Sequence, residues 1–306
     1  MGEVLLAYGG IAVIVAAGYA ISRTGVLGDR AQSTLVGLAF YLLIPPLLFE
    51  AVADVDLGLL LSPYMGVVAG TALAATSVGV VCGLSRRGAR DSAVPLGLAG
   101  SYPNAVNMGI PIATQLFGDI RFITPLVLFE LVVIIPVSLF AFEYIAHRPV
   151  RWRRLGLALA TNPLLLASIA GLTFAVAGWS VPAIIGVPFG ILGGAAIPLV
   201  LLSFGMSLHT LPPLRSGAVV ATGLTSAAKL IVAPLAALGL GLLFHLEPGE
   251  LFAVVALSAL PTAQNAFVFA QRYGKSAPAV RDTVFVTTVA SGAVMIAIVG
   301  IFAALG

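Results

Sequence analysis

Two stretches decide the fold: Ser101-Tyr102-Pro103-Asn104-Ala105-Val106-Asn107 and Ala259-Leu260-Pro261-Thr262-Ala263-Gln264-Asn265. Both read Pro-x-Ala-x-Asn, and both lie inside long apolar runs. Each continues to Gln-x-aromatic-Gly, at Gln115 to Gly118 and Gln271 to Gly274. Upstream of each stands an Ile-Pro pair, Ile44-Pro45 and Ile197-Pro198, 58 residues ahead of the first motif proline and 63 ahead of the second. Proline has no N–H, and its ring clashes with the preceding turn. Pro103 and Pro261 are therefore expected to break their helices near mid-membrane, with Gly109 and Pro111 extending the first break.

Working outward, the 306 residues are 60% hydrophobic and 9% charged, with a mean hydropathy of +1.11. A soluble domain carries roughly 25% charged residues, so this chain cannot clothe a water-exposed surface, and it is too apolar to be disordered. Lipid admits only helices and closed barrels. Barrel strands alternate apolar and polar residues, whereas the runs here are continuous. At about 20 residues per span, the chain is predicted to be an all-α polytopic membrane protein of ten helices: 3–22, 31–53, 59–83, 92–117, 122–146, 157–178, 182–208, 217–245, 250–272 and 281–304. The start, Met1-Gly2-Glu3, lacks the basic segment of a signal peptide, so the first run is expected to stay as a helix. Cys82 is the single cysteine, which excludes an intrachain disulfide.

Charge sets the orientation. Connections after the odd-numbered spans hold Arg23, Arg30, Arg86, Arg87, Arg90, Arg148, Arg151, Arg153, Arg154, Arg215, Arg272, Lys275 and Arg281; the other side holds Arg121 alone, and Lys229 lies within span 8. Positive loops stay cytoplasmic, which places both termini outside. The basic pI of 9.2 thus reports topology and not a nucleic-acid partner. Thirteen Arg against two Lys suggests a GC-rich bacterial coding sequence, and hence a prokaryotic inner membrane.

The paired motifs fall in spans 4 and 9, so residues 1–146 and 157–306 read as two copies of a five-span unit. Five is odd, and the second copy enters inverted. Inverted repeats with interrupted helices at matching places are a secondary-transporter signature. Each second half-helix begins just after its proline, where free N–H groups carry roughly half a positive charge and attract anions. Asn104, Asn107, Thr262, Gln264 and Asn265 surround these ends and are the candidate substrate contacts; their alternative role is to satisfy backbone freed by the breaks.

Two charges lie deep in spans, Glu130 and Lys229. One reading pairs them, with a proton or substrate altering the pair during a cycle; the others are a fixed structural pair, or Lys229 reaching for a backbone carbonyl. Glu50 is placed near the outer end of span 2, where it can line a vestibule, and Glu143 near an interface. Asn162-Pro163 reads as an N-cap with proline at the first helical position. Trp152 and Trp179 read as interfacial aromatics, and Gly193 to Ala196 as a close-packing patch. His147, His209 and His245 sit at span ends and make no metal cluster.

Pro103-Asn-Ala-Val-Asn-Met-Gly-Ile-Pro111 and Ala259-Leu-Pro-Thr-Ala-Gln-Asn-Ala-Phe-Val-Phe-Ala270 resemble the crossover segments of the auxin efflux carrier family, which includes the plant PIN carriers. Asn162-Pro163, Ala196-Ile-Pro198 to Gly205, and Lys229-Leu-Ile-Val-Ala-Pro234 are similar too. The resemblance implies a scaffold of spans 1, 2, 6 and 7 that commonly forms a homodimer, and a moving transport domain of spans 3–5 and 8–10 with helices 4 and 9 crossed. It implies carriage of small organic anions, with Asn104 touching the carboxylate and Pro103 and Pro261 at the crossover. Departures are a short 147–156 connection in place of the long plant loop, Asn107 and Asn265 where plant motifs are apolar, and Leu48 where some carriers have serine. These make the centre more polar, leaving room for a smaller hydroxy- or dicarboxylate, or for a cation. The expectation is a carrier working by alternating access, with no resident cofactor. A proton- or sodium-coupled symporter or antiporter is the first alternative and a membrane sensor the second; no nucleophile–base pair suggests an enzyme.

Overall fold

A computed structural model describes residues 2–28, 30–54, 57–85, 90–146, 152–210, 218–272 and 276–305. Arg86, Arg87, Arg148, Arg151, Arg215 and Lys275, which carry part of the topology reading, lie outside these residues, as do His147 and Gly274. The described residues are helical and hold no strand, one isolated β-bridge apart. Six helices are long and apolar enough to cross a membrane: Ala31–Ala53, Pro63–Ser85, Thr124–Phe142, Ala183–Ser203, Val219–Leu243 and Ala277–Ala304. Shorter apolar helices run over Ala12–Thr24, Pro163–Ala177 and Pro248–Ser258.

Proline shapes these helices in two ways. Where it stops a helix, the chain breaks: Ala93–Ser101 ends before Pro103, and Pro248–Ser258 ends before Pro261. Elsewhere the helix widens instead. Four π-helical turns occur among the described residues, at Ala39–Leu43, Ala105–Gly109, Glu130–Ile134 and Ala228–Val232. In each case the second residue after the turn is a proline: Pro45, Pro111, Pro136 and Pro234. The extra residue moves a carbonyl clear of the proline ring, so the helix continues without the clash. Pro198 differs from its sequence counterpart Pro45, for it lies inside an uninterrupted helix, Ala183–Thr210. The carbonyl facing its ring belongs to Gly194, which has open space around it.

Span 6 also differs from expectation. The helix expected over 157–178 is two helices, Trp152–Ala160 and Pro163–Ala177. The boundary is the expected cap: Asn162 Oδ1 accepts the N–H groups of Leu164 at 3.0 Å and Leu165 at 3.3 Å, and Pro163 opens the new helix. Its other end is closed by Gly178 in the left-handed region (φ 66°), with Trp179 N–H donating to Phe174 O.

Close helix contacts depend on glycines other than the expected patch. A Cβ on Gly18 would run into the Leu202 carbonyl, and one on Gly205 into the Val15 carbonyl, so Gly2–Thr24 and Ala183–Thr210 cross backbone to backbone. Gly79 and Gly83 let Pro63–Ser85 press equally close on Leu96 and Ala93. The Gly193–Ala196 patch divides. Gly193 and Ala196 face inward, Gly193 against Leu47, while Gly194 and Ala195 face outward. Gly205→Ala should therefore destabilise the detergent-purified protein by about 1–3 kcal/mol, the usual cost of overpacking, read as a lower Tm. Gly194→Ala should leave Tm unchanged or slightly raised.

Candidate functional site: the crossing of two broken helices

The two breaks meet. Pro103 and Thr262 face each other in an antiparallel bridge, in which Asn104 N–H donates to Pro261 O at 2.8 Å and Ala263 N–H to Tyr102 O at 2.9 Å. The register suits proline. Pro103 occupies a bridge position whose N–H would point away from the partner, so its missing donor costs the bridge nothing. The matching outward N–H, that of Thr262, donates to Thr287 Oγ1 at 3.0 Å.

The helix ends around the bridge are satisfied by side chains. Thr262 Oγ1 donates to Ala99 O at 2.7 Å, and Ser101 Oγ to Gly97 O at 3.0 Å, closing the end of Ala93–Ser101. Lys229 Nζ donates to Ser258 O at 2.6 Å, at the last residue of Pro248–Ser258. A cation at a helix C-terminus is the favourable placement, and Lys229 has only 2% of its surface exposed. Of the three readings open for this lysine, the carbonyl contact is the one formed; no ion pair joins it to Glu130. Glu130, 3% exposed, instead lies against the Ala105 N–H at the start of the half-helix that follows Asn104. Its Oε1 has no hydrogen-bond partner among the described residues. The acid thus sits at a helix N-terminus and the amine at a C-terminus.

The sequence-derived candidates separate accordingly. Asn104 is buried (4% exposed), with both backbone groups engaged and no hydrogen bond from its amide side chain among the described residues. Thr262, fully buried, is committed to holding the crossing. Asn265 is exposed and its side chain meets the Tyr102 hydroxyl; Gln264 is half-buried at the start of Gln264–Arg272. Asn107 lies in the π turn after Asn104, and its side chain falls outside what is described. Glu50 lines a cleft of about 510 Å³ with Asp54, Asp119, Arg121 and Thr124, and its carboxylate hangs over Gly186 and Gly190. Below the cleft, Leu48, Val52, Ile110, Ile123 and Val127 form an apolar seam.

Sequence reasoning missed Tyr102, Ser258 and Thr287, which the crossing uses. Tyr102 was within the quoted motif; Thr287 offered no local signal. Thr262→Val should lower Tm, with about 1–3 kcal/mol lost for the unpaired Ala99 carbonyl, and Thr262→Ser should restore most of it. Thermal unfolding of both variants checks this.

The membrane transport protein family matches residues 9–149 and 147–299 of the chain. A protein of Methanothermobacter thermautotrophicus named "Uncharacterized transporter" is 29% identical over 305 residues, covering 92% of each chain. One of Rhizobium meliloti (strain 1021) named "Putative malonate transporter" is 28% identical over 295 residues, covering 90% of this chain and 88% of that one. With nearly its whole length matched and two transport-like helix breaks joined at its centre, the chain belongs to the membrane transport protein family, that of the auxin efflux carriers, and is a membrane transporter and not an enzyme.

Proposed function

We propose that the protein carries small organic anions across the cell membrane by alternating access, and that their carboxylate binds at the crossing. The observation that carries this reading is the Asn104 amide, 4% exposed and with no hydrogen bond among the described residues, at the start of a half-helix. An uncommitted buried amide is costly unless something else hydrogen-bonds it. A carboxylate accepts from the amide and from half-helix N–H groups together.

The substrate we favour is a short dicarboxylate of the malonate or malate type over an auxin-type aromatic acid. Support comes from the name of the Rhizobium relative and from the polar residues beside the crossing, Gln264 and Asn265 on one side and Asn104 on the other. In this reading ten spans form two inverted five-span units, 1–146 and 157–306. Spans 3–5 and 8–10 move as a transport domain against a dimerising scaffold of spans 1, 2, 6 and 7, with both termini outside. The meeting of matched breaks in one bridge supports the inverted arrangement. The Glu50 cleft then serves as an aqueous mouth, and the apolar seam beneath it as the barrier that opens and closes.

Two measurements test this. Malonate at 100 times its dissociation constant should stabilise the purified carrier by about 2.7 kcal/mol, with malate similar and indole-3-acetate and benzoate weaker. In proteoliposomes, Asn104→Ala should raise the apparent KM for malonate about tenfold, a loss of roughly 1.4 kcal/mol, at unchanged Tm. Normal uptake by Asn104→Ala at low malonate would refute the assignment of Asn104.

A further inference from the structure

Beside the crossing lies a cavity of about 30 Å³, bounded by Pro103 on one break and by Thr71, Ser101, Lys229 and Ser258. Two buried side chains on its wall have hydrogen bonds left to make. Thr71, on the helix Pro63–Ser85, is 7% exposed, and its Oγ1 has no hydrogen-bond partner among the described residues. Lys229 is 2% exposed; among the described residues its Nζ donates to Ser258 O alone, and no carboxylate forms an ion pair with it. An ammonium has three N–H bonds to give, so two remain. The other hydroxyls on the wall spend their hydrogens elsewhere: Ser101 on Gly97 O, Ser258 on Val255 O and Tyr64 on Phe122 O. The donors left over at the cavity are therefore Lys229 and Thr71. Much of the remaining wall is hydrocarbon, Val68, Leu126 and Leu257 among it.

A buried charge needs a partner of opposite sign as well as hydrogen bonds, and a buried donor left unpaired costs free energy. One helix C-terminus supplies only about half a unit of negative charge, so Ser258 O leaves Lys229 incompletely balanced. The missing partner must accept from an ammonium and a hydroxyl together, carry one negative charge, and tolerate hydrocarbon walls. Volume narrows the choice. A water needs about 10–15 Å³ on this measure, so the cavity takes one or two water-sized particles, and a dicarboxylate or a phosphate is too large. We propose that the cavity is a binding site for one monovalent halide, chloride in the cell, held between Lys229 Nζ and Thr71 Oγ1. The halide neutralises the lysine that closes the end of Pro248–Ser258, and so steadies the crossing. Water in the same place would meet the hydrogen bonds and leave the charge unbalanced.

Thermal unfolding of the detergent-purified carrier at about pH 6, titrated with sodium chloride, bromide or gluconate at constant ionic strength, tests this. Chloride and bromide should raise Tm saturably, and gluconate should not. At ten times its dissociation constant a halide shifts the folding equilibrium about elevenfold toward the native state. Thr71→Val keeps the side chain's shape and removes the hydroxyl, so it should weaken halide binding about tenfold, the worth of one hydrogen bond to a charged partner. Lys229→Met should abolish the response. Should that variant fail to fold, anomalous scattering from wild-type crystals grown in sodium bromide locates the ion directly. A peak between Lys229 and Thr71 supports the site, and a cavity holding only water overturns it. Equal responses to halide and gluconate, or an undiminished halide response in Thr71→Val, would also overturn it. None of these measurements involves malonate, so they stand or fall apart from the substrate reading.

Discussion

Lipid offers no hydrogen bonds, so every backbone group freed by a broken membrane helix must find a partner inside the protein. Pro103 and Pro261 each free several such groups, and the structure answers by setting the two breaks against each other. Asn104 and Ala263 N–H groups pair with the carbonyls of Pro261 and Tyr102, and Thr262 closes the rest through Thr287 and Ala99. Each break takes some of its partners from the other half of the chain, while Ser101, Lys229 and Thr287 supply the rest within their own halves. The crossing is thus a mutual requirement, and it fixes where the half-helix ends point.

Proline acts a second time, more quietly. Pro136 and Pro234 do not stop their helices; each forces a widened turn ahead of it, and those turns carry Glu130 and Lys229. The same chemistry that breaks the helices at Pro103 and Pro261 therefore also shapes the backbone from which Glu130 and Lys229 reach the crossing. The acid goes to a helix N-terminus and the amine to a C-terminus. Backbone groups at the two helix ends thus take the polar contacts that a direct ion pair would otherwise supply.

What could be read in the sequence follows from how local its cause is. The breaks at Pro103 and Pro261 and the cap at Asn162 come from the residue itself and its neighbours in the chain, and they stand where expected. Lys229 was legible only as three competing readings, because the identity of its partner depends on packing between Val219–Leu243 and Pro248–Ser258. The π turns were missed because proline in a helix permits either a break or a widened turn, and surrounding contacts decide which. Gly18 and Gly205 were missed because a glycine at a backbone crossing looks, in sequence, like any other glycine in an apolar run. Thr262 read as a ligand contact because hydroxyls near a break can serve either ligand or backbone; here its hydroxyl donates to the Ala99 carbonyl and its N–H to the Thr287 hydroxyl.

The site we propose, built from an amide and a helix end, has a consequence for a carrier. An arginine in lipid-buried surroundings would hold a carboxylate by a bidentate, fully charged contact, and a carrier must let its cargo go on every cycle. Partial charges on N–H groups and a neutral amide bind more weakly and cost less to leave empty. The buried Lys229 is held instead by its bond to Ser258 O. In that proposal, with Lys229 held at Ser258 O and Asn104 making no side-chain hydrogen bond among the described residues, recognition and release stay within reach of the same small change in geometry.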